Sequence, residues 1–219
     1  MVLPANIKGL IFDMDGTLLD TMPVWKGLGE EYLARCGVAW TPETAADLLP
    51  LSLEKSVAYF RERLGVQTAE KEILTEIRAL VNARYQKMAA PKAGVPAYLA
   101  QCAAGGRKMC VATVTSQDMA AAVLERLGLL RFFSAVHTCD TIGRLKSDPR
   151  FFLAVAKSLG PAPADTAVFE DSLYCMRSAQ AAGLTVVGVF DPEAEGGEAA
   201  ARQYCSHYIY SFMELLIYA

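Results

Sequence analysis

Histidine is scarce in this chain. His137 and His207 are the whole supply, which argues against a metal centre built from several imidazoles. There is no basic tract and the net charge is −3, so the sequence lacks the positive stripe that nucleic-acid binders set against phosphates. No run approaches the roughly 18 or more apolar residues of a membrane span. The opening stretch MVLPANIKGLIF does not read as a secretory leader, because Pro4, Asn6 and Lys8 interrupt it and it runs into Asp13. The six cysteines form no CxxC pair. A chain of 219 residues can bury a core without disulfide staples, so reduced thiols in a cytoplasmic protein are expected.

Apolar residues, in contrast, are plentiful at 53%, with 21% charged, enough for a packed core. Short apolar runs at 8–13, 109–113, 135–138, 167–170 and 185–189 read as buried strands. Helical patterns lie between them: 118–127, the stretch after Pro149 that Gly160 stops, and 172–182 before Gly183. This alternation predicts an α/β fold, a parallel sheet covered by helices on both faces. A short strand near Tyr208 and a helix from Phe212 are expected to close it.

The segment after the first strand breaks the alternation and reads as all-helical. One helix is expected over 24–36 before Gly37. Another starts at Thr41-Pro42-Glu43, a third is capped by Ser52 and runs to Leu64, and a fourth is capped by Thr68 and runs to about Met88. The expected organisation is therefore a core domain of residues 1–21 and 89–219 with an inserted helical domain of 22–88.

In open parallel sheets, sites form at the carboxyl ends of strands. Here those ends carry Asp13 and Asp15, then Thr113 with Thr115 close by, then Lys146, then Glu170 and Asp171. Four converging carboxylates would repel one another unless a hard cation with oxygen ligands, such as Mg²⁺, joined them. An ionised Asp13 is a nucleophile that needs no base, since an ordinary aspartate has a pKa of about 3.9. Asp15, one step further out, is placed to act as acid and then base. Gly16 permits a sharp turn there. Lys146 supplies a point charge for a phosphoryl group, and Thr113 a hydroxyl with the Val114 backbone N–H beside it.

These residues stand in the order Asp13-Met14-Asp15-Gly16-Thr17, Val111-Ala112-Thr113, Lys146-Ser147-Asp148-Pro149 and Phe169-Glu170-Asp171-Ser172. In this pattern the chain resembles the haloacid dehalogenase-like hydrolase superfamily over nearly its whole length. The resemblance implies a Rossmann-like core, a helical cap inserted after the first motif, Mg²⁺ and a covalent aspartyl-phosphate. It further implies that Asp13 is nucleophile and metal ligand, and that Asp15 is the acid/base and binds metal through its carbonyl. Thr113, Val114, Gly16 and Lys146 would hold phosphate, and Glu170 with Asp171 would complete the metal shell. The second aspartate points to phosphatases and phosphomutases rather than dehalogenases or transport ATPases, and the spelling looks most like the β-phosphoglucomutase and phosphoglycolate phosphatase-like branch. The chain departs from that branch in four places. No proline follows Lys146, Cys175 replaces a glycine, Trp25 stands near the place of the mutase histidine, and Leu53 near that of the mutase arginine. The last two favour hydrolysis over mutase chemistry.

The expectation is thus a Mg²⁺-dependent phosphatase of a small phosphorylated metabolite, a sugar or short-acid phosphate, with no nucleic-acid or membrane partner. A phosphomutase is the first alternative and a non-catalytic binding protein on the same fold the second. Lys26, Arg35, Lys55 and Arg84 are the helical segment's candidates for gripping the rest of the substrate. His137 and the Gly105–Gly106 pair are expected to be structural.

Overall fold

The structure, a computed structural model, describes residues 3–48, 53–194 and 196–216. In chain order it begins with β1 (Gly9–Phe12) and the two-residue β2 (Leu19–Asp20). Five helices follow: α1 (Met22–Trp25), α2 (Leu28–Arg35), α3 (Pro42–Leu48), α4 (Leu53–Glu62) and α5 (Glu70–Met88). The chain then runs through β3 (Ala90–Pro91), α6 (Val95–Ala104), β4 (Lys108–Thr113), α7 (Gln117–Arg126), β5 (Val136–Thr138), α8 (Cys139–Ile142) and α9 (Pro149–Leu159). It ends with β6 (Thr166–Glu170), α10 (Leu173–Ala181), β7 (Thr185–Val189), α11 (Gly197–Ala201), β8 (His207–Ile209) and a 3₁₀ turn, Phe212–Leu215. Two compact units emerge: Met1–Met22 with Ala89–Ala219, and Pro23–Met88.

The first unit is a Rossmann-like α/β fold. Its sheet has six strands in the order β5-β4-β1-β6-β7-β8, every neighbouring pair parallel. All four residues of β1 are buried, as expected of a central parallel strand covered on both sides. Side chains alternate between faces. Phe12 stacks on Phe169 with ring centroids 4.6 Å apart, and Phe169 stacks on Phe212 at 5.6 Å. Ile11, Val168 and Val186 instead join Phe151, Phe152 and Val155 of α9 in a second cluster. Because β4 and β6 flank β1 on opposite sides, the connections diverge there and open a crevice at the carboxyl ends of these three strands. β2 and β3 pair antiparallel as a separate ribbon.

The second unit is helical among its described residues. Ile73, Ile77, Leu80 and Val81 of α5 are buried, at the spacing of one helix face. The helix expected over 24–36 is broken: Gly27, at φ +68°, takes the left-handed conformation and splits it into α1 and α2. Arg84 fastens the break, donating to the carbonyls of Val24 and Lys26 at 2.9 and 2.8 Å and pairing with Glu31. Thr41 caps α3 by accepting from the Thr44 amide at 3.2 Å. The cap expected at Ser52 lies outside the described residues, and α4 ends at Glu62, two residues before Leu64. α5 begins at Glu70, so the Ala69 carbonyl, one residue past Thr68, receives its first amides. The segment from Phe212 is a 3₁₀ turn with a Ser211–Glu214 capping box rather than an α-helix through its described residues. His137 lies in β5 with its Nε2 2.8 Å from the Ser158 hydroxyl. No helix among the described residues is long and apolar enough to cross a membrane.

Candidate active site

The carboxyl end of β1 supplies Asp13, whose amide donates to the Phe169 carbonyl at 3.0 Å and so ties it to β6. The chain then doubles back: the Leu19 amide donates to the Met14 carbonyl and the Gly16 amide to the Leu19 carbonyl, both at 2.9 Å. Gly16 holds this turn at φ +78°, and a Cβ there would run into the Asp171 carboxylate. Only glycine combines that backbone with that approach. The turn therefore fixes Asp13, Asp15 and Thr17 at one strand end, while β6 presents Glu170 and its successor Asp171 beside them.

One carboxylate oxygen from each of Asp13, Glu170 and Asp171 lies within 4.8 Å of the others. Lys146 enters from the loop before α9, and its side chain is only 2% exposed. Its Nζ donates to Asp13 Oδ1 at 2.6 Å, to Glu170 Oε2 at 2.8 Å and to the Ala112 carbonyl at 3.0 Å. The Ser172 amide donates to Glu170 Oε1 at 3.2 Å, and the Thr17 hydroxyl to Asp171 Oδ1 at 3.1 Å.

Three clustered carboxylates against one buried ammonium leave an excess of negative charge. Burial, and then the charge of Asp13, hold Glu170 well above the ordinary carboxylate range. The same two causes push Asp171 up to about 7. Burial alone would push the Lys146 ammonium down; the carboxylates of Asp13 and Glu170 more than reverse it and hold Lys146 well above its usual value. A divalent cation suits this donor set, which is all oxygen, under-neutralised and closely spaced.

The structure thus brings Asp13, Lys146, Glu170 and Asp171 together. The carboxylate of Asp15 is not in that group; its Oδ2 accepts from the Thr115 hydroxyl at 2.7 Å. Thr113 is fully buried at the end of β4, and its Oγ1 accepts from the Thr115 amide at 3.1 Å. Val114, next to it, is exposed. Two contacts of the site are not legible in the sequence. Thr17 was visible as the last letter of its motif, but nothing in the sequence showed that it reaches Asp171. Thr115 was visible only as a second strand-end hydroxyl. In the helical unit, Arg84 and Arg35 are both engaged with Glu31.

The family profile described as haloacid dehalogenase-like hydrolase matches residues 10–189. A fructose-1-phosphate phosphatase, YqaB of Escherichia coli (strain K12), is 29% identical over 182 residues, which cover 83% of this chain and 95% of the relative. Protein CbbY of Rhodobacter capsulatus is 30% identical over 195 residues, covering 83% and 85%. The crystal structure of CbbY from Rhodobacter sphaeroides in complex with phosphate superposes with a TM-score of 0.76 at 24% identity, over 95% of this chain and 96% of that one.

Proposed function

The chain belongs to the haloacid dehalogenase-like hydrolases and is a phosphoric monoester hydrolase; on that premise we propose that it cleaves a small phosphorylated metabolite, a sugar or short-acid phosphate, through a phospho-aspartate on Asp13 and with Mg²⁺. One observation carries the reading: three carboxylates, one of them Asp13, share a buried cluster with a single lysine.

In this reading Asp13, Glu170 and Asp171 would hold the ion, with the Asp15 carbonyl, as the family resemblance implies, as a further ligand. Bound there, Mg²⁺ would neutralise charge on the cluster and on the phosphoryl group and draw the two together. Lys146 orients the Asp13 carboxylate and offers its charge to the transferring oxygens. Thr113 receives the Thr115 amide on its oxygen, which leaves its own proton for a phosphoryl oxygen, with the Val114 amide next in the chain as a further donor; the Gly16 amide is taken up by the Leu19 carbonyl, so Gly16 serves the site through its turn. Asp13 attacks phosphorus in line with the leaving oxygen. Asp15 gives that oxygen a proton, then takes one from the water that hydrolyses the phospho-aspartate. The helical unit, the cap by the family resemblance, is assigned the choice of substrate. Arg84 is committed to Val24, Lys26 and Glu31, so it is not set aside for a second phosphate, and with Trp25 and Leu53 near the places of the mutase histidine and arginine this favours hydrolysis over a mutase.

A panel of phosphorylated sugars and short acids, assayed for inorganic phosphate with and without Mg²⁺, tests this. Metal-dependent phosphate release from members of the panel is expected. An isomerised sugar phosphate in place of free phosphate would establish the mutase, and silence across the panel despite Mg²⁺ binding would leave only a binding protein.

A further inference from the structure

We propose that Thr115 is a positioning residue that aims the Asp15 carboxyl group at the leaving-group oxygen. This rests on the reading of Asp15 as acid/base and adds to it a partner far away in sequence. Asp15 has a firmly held backbone, within the turn closed by Met14, Gly16 and Leu19, and the direction of its half-buried side chain depends on which rotamer its contacts select. The Thr115 hydroxyl donates to Asp15 Oδ2 at 2.7 Å across 100 residues of sequence. Thr115 is itself pinned, because its amide donates to Thr113 Oγ1 at 3.1 Å. One residue therefore joins Thr113, proposed above to hold the phosphoryl group, to Asp15, proposed above to serve the leaving oxygen. The hydroxyl can donate to the carboxyl group in either protonation state, so the tether survives both halves of the cycle.

The step it serves is specific. As an Asp13 oxygen bonds to phosphorus, the bond from phosphorus to the leaving oxygen breaks. Its electron pair stays on that oxygen, which takes the proton from Asp15. An alkyl ester needs that proton because an alkoxide leaves poorly. A nitrophenyl ester does not, because nitrophenolate is stable in water.

The test compares kcat/KM, which covers every step up to alcohol release, on p-nitrophenyl phosphate and on glycerol phosphate for wild type, Asp15→Asn, Thr115→Val and Thr115→Ser. Circular dichroism and thermal melts check that each variant is folded. Asp15→Asn should lose far more on the alkyl ester than on the aryl ester. Since a positioned acid typically contributes about 10²–10⁴-fold, Thr115→Val should lose about tenfold or more on the alkyl ester and less than about threefold on the aryl one. Thr115→Ser should regain most of the alkyl activity. If Thr115→Val slows both esters equally, or neither, while Asp15→Asn discriminates, the positioning role is wrong and the acid/base reading stands. If Asp15→Asn does not discriminate, the acid/base reading falls and this role falls with it.

Discussion

Lys146 Nζ lies 2.8 Å from Glu170 Oε2, with the two side chains 2% and 1% exposed. The same ammonium reaches Asp13 at 2.6 Å. Removing one partner of a buried pair strands the other's charge, at a cost of about 3–5 kcal/mol. Lys146→Met should therefore lower metal-free stability by about that much in denaturant melts. Lys146→Met combined with Glu170→Gln should recover part of the loss, because one of the stranded charges is gone. A single variant as stable as wild type would show that the lysine does not balance the cluster.

Gly16 and Asp171 are coupled by shape. Gly16→Ala forces a side chain into left-handed backbone, costing about 1–2 kcal/mol, and drives its methyl into the Asp171 carboxylate. The expected outcome is a modest fall in melting temperature together with a large loss of Mg²⁺-induced stabilisation, because Asp171 must move. A variant that melts lower yet keeps the wild-type response to Mg²⁺ would separate the turn from the metal site.

Asp171 also sets a pH dependence. Its folded-state pKa, about 7, lies above the ordinary aspartate value. Without metal, the folded protein binds this proton more tightly than the unfolded chain does. The resulting stability is full below about pH 4 and is lost as pH rises through about 7. A metal ligand must shed its proton first, so Mg²⁺ should raise the melting temperature more at about pH 8 than at about pH 5.5. Asp171→Asn should shrink the difference, leaving the share that comes from Glu170, whose proton is also held well above the ordinary carboxylate range. An equal response at both pH values in the wild type would contradict the assignment of Asp171 to the metal.

The strands were legible because each central one is a short, continuous apolar run bounded by charge or glycine, the pattern that burial on both faces demands. The break at Gly27 was not legible. Gly27 and Gly29 sit within an otherwise helical spacing, and the Arg84 contacts that hold the break come from about sixty residues away. α6 has no counterpart among the sequence expectations, although Pro96 in its first turn and Gly105 at its end mark its limits. Within the site, Asp13, Lys146, Glu170 and Asp171 could be named because strand ends of a parallel sheet meet at one crevice. The tie between Thr115 and Asp15 could not, because it depends on how two loops 100 residues apart fold over that crevice.

Trapping the acyl phosphate tests the account most directly. The protein is incubated with Mg²⁺ and a ³²P-labelled substrate found in the panel, quenched in acid, and digested for mass spectrometry. Acid-stable, hydroxylamine-labile label on the peptide carrying Asp13, absent from Asp13→Asn, is the predicted result. Label on another residue, or turnover at the wild-type rate by Asp13→Asn, would contradict it.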